Sequence, residues 1–310
     1  MITERLALTV VPGAGWRAAD LRHVAREAEQ AGFEAMFSTE VNSDTMTTAA
    51  VMGAVTNRLT VGTWVANIYL RHPYLCAKGA ELIADDTEGR FVLGLGVSHQ
   101  PVNDALQIDM TNAAQDIVGY TRAVRRWLEG RGPATHLPQS PAPRHVPIHV
   151  AALSLAAVER AAEVAEGLMP TMWSPERVAK SAEYIARGRE RSPELGPVEL
   201  TLGLPTFLGD DLDGLRATAR ENLALYTGFP FFRRMWRESG FVDEADAMER
   251  GAGGSALSDE LLDSFCLIGP VSRCRERLSS YRAAGVDLPI LNPAVGPRAA
   301  LDVVHAFGAS

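Results

Sequence analysis

The chain has 310 residues, 46% of them hydrophobic and 22% charged, with 38 acidic against 30 basic side chains and a net charge of −8. The apolar share is too high for intrinsic disorder, no run of about 18 apolar residues could cross a bilayer, and net acidity argues against general nucleic-acid binding. Three scattered cysteines (Cys76, Cys266, Cys274) form no CxxC pair, and Met1-Ile2-Thr3-Glu4 leads into an apolar run without a signal-peptide layout, so a cytoplasmic protein is expected.

Short apolar runs alternate with longer segments of helical period. Residues 5–10 read as a buried strand ended by Pro12 and Gly13, and 20–31 as a helix with Gly32 where its C-cap belongs. A strand at 34–38, a helix at 45–55 and a strand at 59–66 follow. Pro73 sits at a first helical position, and that helix runs to Asp86. After a strand at 91–95 comes a strong helical pattern over 112–129. The stretch 130–147 carries five prolines and reads as loop.

The alternation then resumes. Residues 148–151 form a strand, 155–166 a helix, 168–170 a short strand, and 175–189 a helix with Ser174 as its N-cap. A strand at 198–207 precedes a helix at 213–226, and 271–284, 288–291 and 298–306 read as helix, strand and helix. Length alone would allow two domains. Eight strands alternating with helices instead predict one (β/α)8 TIM-barrel domain over 1–310. An insertion at 228–258 interrupts its seventh βα unit and carries Phe229, Phe231, Phe232, Met235 and Trp236. It reads either as a helical excursion packed on the barrel or as a substrate lid or subunit interface.

In such a barrel the site lies at the C-terminal ends of the strands. Strand two ends at Ser38, Thr39 and Glu40; strand three at Trp64, Val65, Ala66 and Asn67; strand four at Gly94, Gly96, Ser98 and His99. Strand five ends at Ala151, Ala152, Leu153 and Ser154, strand six at Thr171, and strand eight at Asn292. Small residues before a helix N-terminus suit an anion at 152–154, although an ordinary N-cap also explains Ser154. Gly94 and Gly96 lack the third glycine of a dinucleotide fingerprint; they could admit a flat ring against the barrel mouth. Glu40 could take a proton, hold substrate or cap a helix. His99 is either a site residue or an ordinary loop histidine, and His149 reads as a core residue. His23, His136, His145 and His305 receive no chemistry. No metal-ligand spacing and no GxSxG hydrolase motif is present.

The segment 62–73 (GTWVANIYLRHP) followed by 89–96 (GRFVLGLG) resembles the bacterial luciferase-like monooxygenase superfamily, closest to its branch using the deazaflavin coenzyme F420. The segments 147–152 (PIHVAA) and 167–170 (GLMP) fall where that family has counterparts, so the resemblance covers nearly the whole chain. It implies an eight-stranded barrel with a flavin or deazaflavin ring in its mouth, and a non-proline cis peptide at Trp64–Val65 supporting one ring face. It further implies that Asn67 contacts polar ring atoms, that Gly96, Ser98 and His99 line the ring edge or ribityl chain, and that Ala152, Leu153, Ser154 and Thr171 hold the phosphate. Sugar-phosphate-oxidising relatives place a histidine after the acidic residue following strand two. Here Val41 follows Glu40, which removes that base; nor is there the strand-one carboxylate of the pterin-reducing relatives.

The expectation is an F420-dependent oxidoreductase acting on a small, fairly apolar substrate, with Glu40 and His99 for proton transfer or substrate polarisation. The alternatives are an FMN-dependent monooxygenase using reduced flavin and oxygen, and a non-catalytic flavin- or ligand-binding barrel. Relatives are commonly homodimers; no metal, membrane or nucleic-acid partner is expected.

Overall fold

A computed structural model describes residues 5–110, 112–133 and 137–308. The start at 1–4 and His136 lie outside them. In chain order the strands are β1 Ala7–Val10, β2 Ala35–Ser38, β3 Thr60–Thr63, β4 Ala66–Asn67 and β5 Phe91–Gly96, followed by β6 Ile148–Val150, β7 Gly167–Leu168, β8 Glu199–Leu208, β9 Leu267–Gly269 and β10 Leu288–Pro293. All their pairings are parallel. In β10, Ile290 lies opposite both Ala7 of β1 and Gly203 of β8, and this double pairing closes the sheet. With β3 and β4 counted as one interrupted strand, and β9 set outside the ring because it pairs only with the end of β8, the result is the expected eight-stranded (β/α)8 TIM barrel.

Alternation along the strands builds two apolar layers, because successive strand residues point to opposite faces. Ala7, Ala35, Phe37, Met169, Leu288 and Ile290 pack together inside the barrel, with Trp64, Val65 and Val92 against them. Their sequence neighbours Leu8, Met36 and Leu291 face outward and join the larger core made with the helices. In the helix Ala18–Gln30 the buried face is Leu21, Val24, Ala25 and Ala28, the 3.6-residue period read from the sequence. Gly32 follows it with φ +86°, the left-handed conformation that ends a helix at low cost.

The helices Pro73–Asp86, Pro175–Arg189 and Val271–Ala284 have their predicted ends. Ser174 caps the second of these, its Oγ accepting from the Arg177 amide at 3.4 Å. Three features depart from the expected elements. The third strand, expected unbroken over 59–66, breaks at Trp64–Val65, where the peptide is cis as the family resemblance implies. A short helix, Gln100–Ala105, follows β5. The strand β9 joins the end of β8, pairing Leu267 with Thr206. The insertion folds into the helices Pro230–Glu238 and Val242–Glu249, then a 3-10 turn at Gly253–Ala256, the helical excursion among its expected readings. Phe232, Met235 and Trp236 are buried at helical spacing in the first of these, so the aromatic cluster packs inward. No helix of the described residues is long and apolar enough to cross a membrane.

Candidate active site at the barrel mouth

The interrupted third strand forms the floor of the mouth. Trp64 turns its indole toward β8, where Gly203 leaves room: a Cβ there would lie 2.0 Å from Trp64 Cζ2. Val65 fills the equivalent gap at Gly96, whose added Cβ would sit 2.3 Å from Val65 Cγ2; at Gly94 the Thr63 carbonyl approaches to 2.0 Å. Gly94 and Gly96 were expected to admit a flat ring directly. The structure corrects this, since the space they leave is taken by the bulge itself.

Asn67 and Glu40 are the two expected site residues whose polar groups the fold consumes. Glu40 Oε2 accepts the Asn67 backbone N–H at 2.6 Å and an Arg71 N–H at 2.8 Å, and Oε1 takes a second Arg71 N–H. Burial alone would lower the Arg71 pKa, but hydrogen bonds and charge from Glu40 and then Asp44 outweigh it and hold the guanidinium above the usual arginine range. The Asn67 Nδ2 donates to Asn103 Oδ1 at 2.9 Å, and its Oδ1 accepts the Tyr69 N–H at 3.1 Å. Asn103 is fully buried and donates to the Val97 carbonyl at 2.8 Å. The expected proton-transfer carboxylate is therefore a strut, and the expected ring contact is a brace between β4 and the short helix Gln100–Ala105 after β5.

His99 is placed differently. It stands before the helix Gln100–Ala105, half-buried, with its ring stacked on Phe229 at 4.4 Å between centroids and 22° between planes. Tyr226 and Phe232 surround it at 6.4 and 5.9 Å. Burial pushes its pKa below the ordinary histidine value, so the imidazole is neutral near pH 7, and its buried Nδ1 has no hydrogen-bond partner among the described residues. The insertion thus delivers its aromatic residues to the histidine at the end of β5. Ser98, beside it, takes φ +60°.

Across the mouth, Ala152, Leu153 and Ser154 run into the helix Leu155–Val164, and Ser154 Oγ accepts the Ala157 N–H at 3.2 Å. The N-cap reading of Ser154 therefore holds, and it is compatible with an anion on the neighbouring amides. Thr171 bridges to Gly203, its Oγ1 donating to that carbonyl at 3.3 Å, which places it beside the Trp64 ring.

Sequence reasoning missed Arg177. Its side chain, 5% exposed, donates to the Leu153 carbonyl at 2.8 Å and lies 5.6 Å over the Trp173 ring. Burial lowers its pKa, and among the described residues neither its Nε nor Trp173 Nε1, both buried, has a partner. A signal was present: an arginine in the first turn of a helix opposes the helix dipole and calls for a reason.

The family model described as luciferase-like monooxygenase matches residues 5–288. The chain belongs to the luciferase-like monooxygenase family. Membership makes it an oxidoreductase-type enzyme and sets aside the non-catalytic binding barrel. A Mycobacterium tuberculosis protein bearing the name coenzyme F420-dependent oxidoreductase is 27% identical over 306 residues, covering 85% of this luciferase-like chain and 88% of the relative. Among solved structures, the coenzyme F420-dependent tetrahydromethanopterin reductase of Methanopyrus kandleri superposes with TM-score 0.79 at 17% identity, covering 98% of each chain. The oxygenating constituent of a Pseudomonas putida 3,6-diketocamphane monooxygenase, in complex with FMN, superposes with TM-score 0.67 at 14% identity, covering 98% of this chain and 96% of the other.

Proposed function

We propose that this luciferase-like enzyme is an F420-dependent oxidoreductase acting on a small, fairly apolar organic substrate, with the whole chain working as one domain. The observation that carries the reading is the donor set beside the 152–154 turn. Arg177 Nε and Trp173 Nε1 are buried without partners among the described residues, and Arg177 is hydrogen-bonded to the turn itself. Buried donors left unmatched fit a cofactor that carries a phosphate group. The name of the M. tuberculosis relative supports F420 as that cofactor. When bound, the deazaflavin supplies hydride transfer at its C5.

The chain's own residues then have distinct tasks. Trp64 and Val65 support one face of the ring. Ala152, Leu153, Ser154 and Thr171, joined by Arg177, hold the phosphate. Gly96 and Asn67 keep the bulge in place, Glu40 fixes the Asn67 amide, and Ser98 and His99 border the ring edge. Neutral His99, with Nδ1 unpaired, holds or moves a proton at the substrate, while Phe229 and Phe232 exclude water above it.

Aerobic titration with F420 and with FMN tests this. Tight F420 binding with hydride exchange is expected. FMN binding with oxygen consumption would establish the second reading, an FMN-dependent monooxygenase, which the family's description and the shared fold of the FMN complex favour. If neither binds at micromolar concentration, both readings fall. We further propose a cytoplasmic homodimer. Leu75 and Leu82, 62% and 70% exposed on one face of the helix Pro73–Asp86, support self-association, which sedimentation velocity would measure.

A further inference from the structure

Arg177 has a second partner that the cofactor reading does not use. Its Nη1 and Nη2 donate to Glu238 Oε2 at 3.4 and 3.3 Å, at the long end for a charge-assisted bond. Glu238 ends the insertion helix Pro230–Glu238, and it is otherwise held by Arg234, whose Nε donates to Oε1 at 2.9 Å. The exposures are unequal: 5% for Arg177, 37% for Glu238 and 73% for Arg234. The carboxylate can move into solvent with Arg234, whereas the guanidinium cannot follow.

Both charges also stand at the wrong helix ends. A cation in the first turn of Pro175–Arg189 and an anion at the end of Pro230–Glu238 each oppose a helix dipole. An anion placed beside Arg177 would instead meet the N-terminal ends of two helices, Leu155–Val164 and Pro175–Arg189, and the unpaired Nε.

We propose that Glu238 is a displaceable stand-in for phosphate. An incoming phosphate group takes Arg177 and the 152–154 turn, Glu238 withdraws with Arg234, and the helix Pro230–Glu238 is freed. That helix begins next to Phe229, the residue stacked on His99, and contains Phe232. Filling the phosphate end of the mouth therefore loosens the aromatic cover at the substrate end. The inference rests on the reading that an anionic cofactor binds here.

The test uses inorganic phosphate as the probe and hydrogen exchange as the readout on the full chain, with F420 and FMN titrations run in parallel. In the wild type, millimolar phosphate is expected to slow exchange at 152–157 and to speed it at 230–238. Glu238→Gln should show fast exchange at 230–238 without phosphate and bind phosphate about threefold more tightly, the scale of a partly exposed ion pair. Arg177→Gln should abolish both responses, and Arg177→Lys, which keeps the charge if the glutamine variant folds poorly, should retain part of them. Phosphate binding that leaves 230–238 unchanged, or a Glu238→Gln variant with equal or weaker phosphate affinity, overturns the stand-in. If phosphate behaves as expected while neither F420 nor FMN binds, the cofactor reading fails and the latch survives. If a cofactor binds Glu238→Gln and wild type alike, the latch fails and the cofactor reading stands.

Discussion

Two charged side chains, one at each end of the barrel, are treated in opposite ways. At the closed end, Glu29 Oε1 accepts the backbone N–H groups of Asn57, Arg58 and Leu59 at 2.7, 2.6 and 2.9 Å, just before β3 begins. Beside it Arg90 donates to the Leu59 and Thr56 carbonyls at 2.6 and 2.9 Å. At the mouth, Arg177 is more deeply buried, yet it holds its carboxylate at arm's length and leaves Nε unpaired. An end of the barrel that only has to stay folded can satisfy its polar groups from within. An end that has to receive a ligand keeps donors in reserve, and that reserve costs stability.

Substitutions can break this contrast. The largest effect is expected from His99→Phe, which keeps the ring stacking and removes the nitrogens: kcat should fall about 100-fold with the cofactor Kd unchanged. An equal loss in both would mean that His99 holds cofactor. Because burial holds the His99 pKa below the ordinary histidine value of about 6.5, the acid limb of wild-type kcat should lie on the acid side of that value.

Gly203→Ala comes next and joins the two ends, since its Cβ must displace the Trp64 indole. A stability loss of about 2 kcal/mol by denaturant unfolding should come with a changed tryptophan spectrum and weakened cofactor binding. A variant of native stability and affinity would show that the indole can give way freely. Arg177→Gln should raise the cofactor Kd about tenfold while leaving Tm nearly unchanged.

Glu29→Gln should do the reverse, costing roughly 1 kcal/mol of stability with no effect on binding. Burial works against the Glu29 charge, but the amides of Arg58, Leu59 and Asn57 outweigh it and hold the carboxyl below its ordinary range. Its contribution is therefore full above the unfolded value, about 4.3, and is lost as pH falls through the lower folded one. The Tm gap between wild type and Glu29→Gln should close in acid; a gap independent of pH would contradict the amide clamp.

Much of the fold was legible because its signals are local. Pro73 and Pro175 mark helix starts by their missing N–H and fixed φ, and both helices begin there. Apolar runs of strand length between helical patterns were enough for eight strands and barrel closure. The break at Trp64–Val65 was reached through family resemblance and not through periodicity, which ran the third strand straight through it. The insertion helices were obscured because 228–258 mixes aromatic, charged and glycine residues, and its buried face becomes clear only against the barrel.

The site divides in the same way. The turn at 152–154 and His99 were found because strand ends are where barrel sites lie. Glu40 and Asn67 lie at strand ends too. Their true partners are Arg71, 31 residues from Glu40, and Asn103, 36 residues from Asn67, and no window of sequence joins them.

By itself the sequence determined the alternation of strands and helices, the face each buries and the strand-end residues that reach the mouth, though not Arg177, because these follow from short-range periodicity and backbone chemistry. Only the tertiary structure decided which of those residues remain free to act. That depends on which partners satisfy each polar group: Glu40 and Asn67 are held by neighbours far away in the chain, whereas half-buried His99 and buried Arg177 each keep a nitrogen without a partner among the described residues.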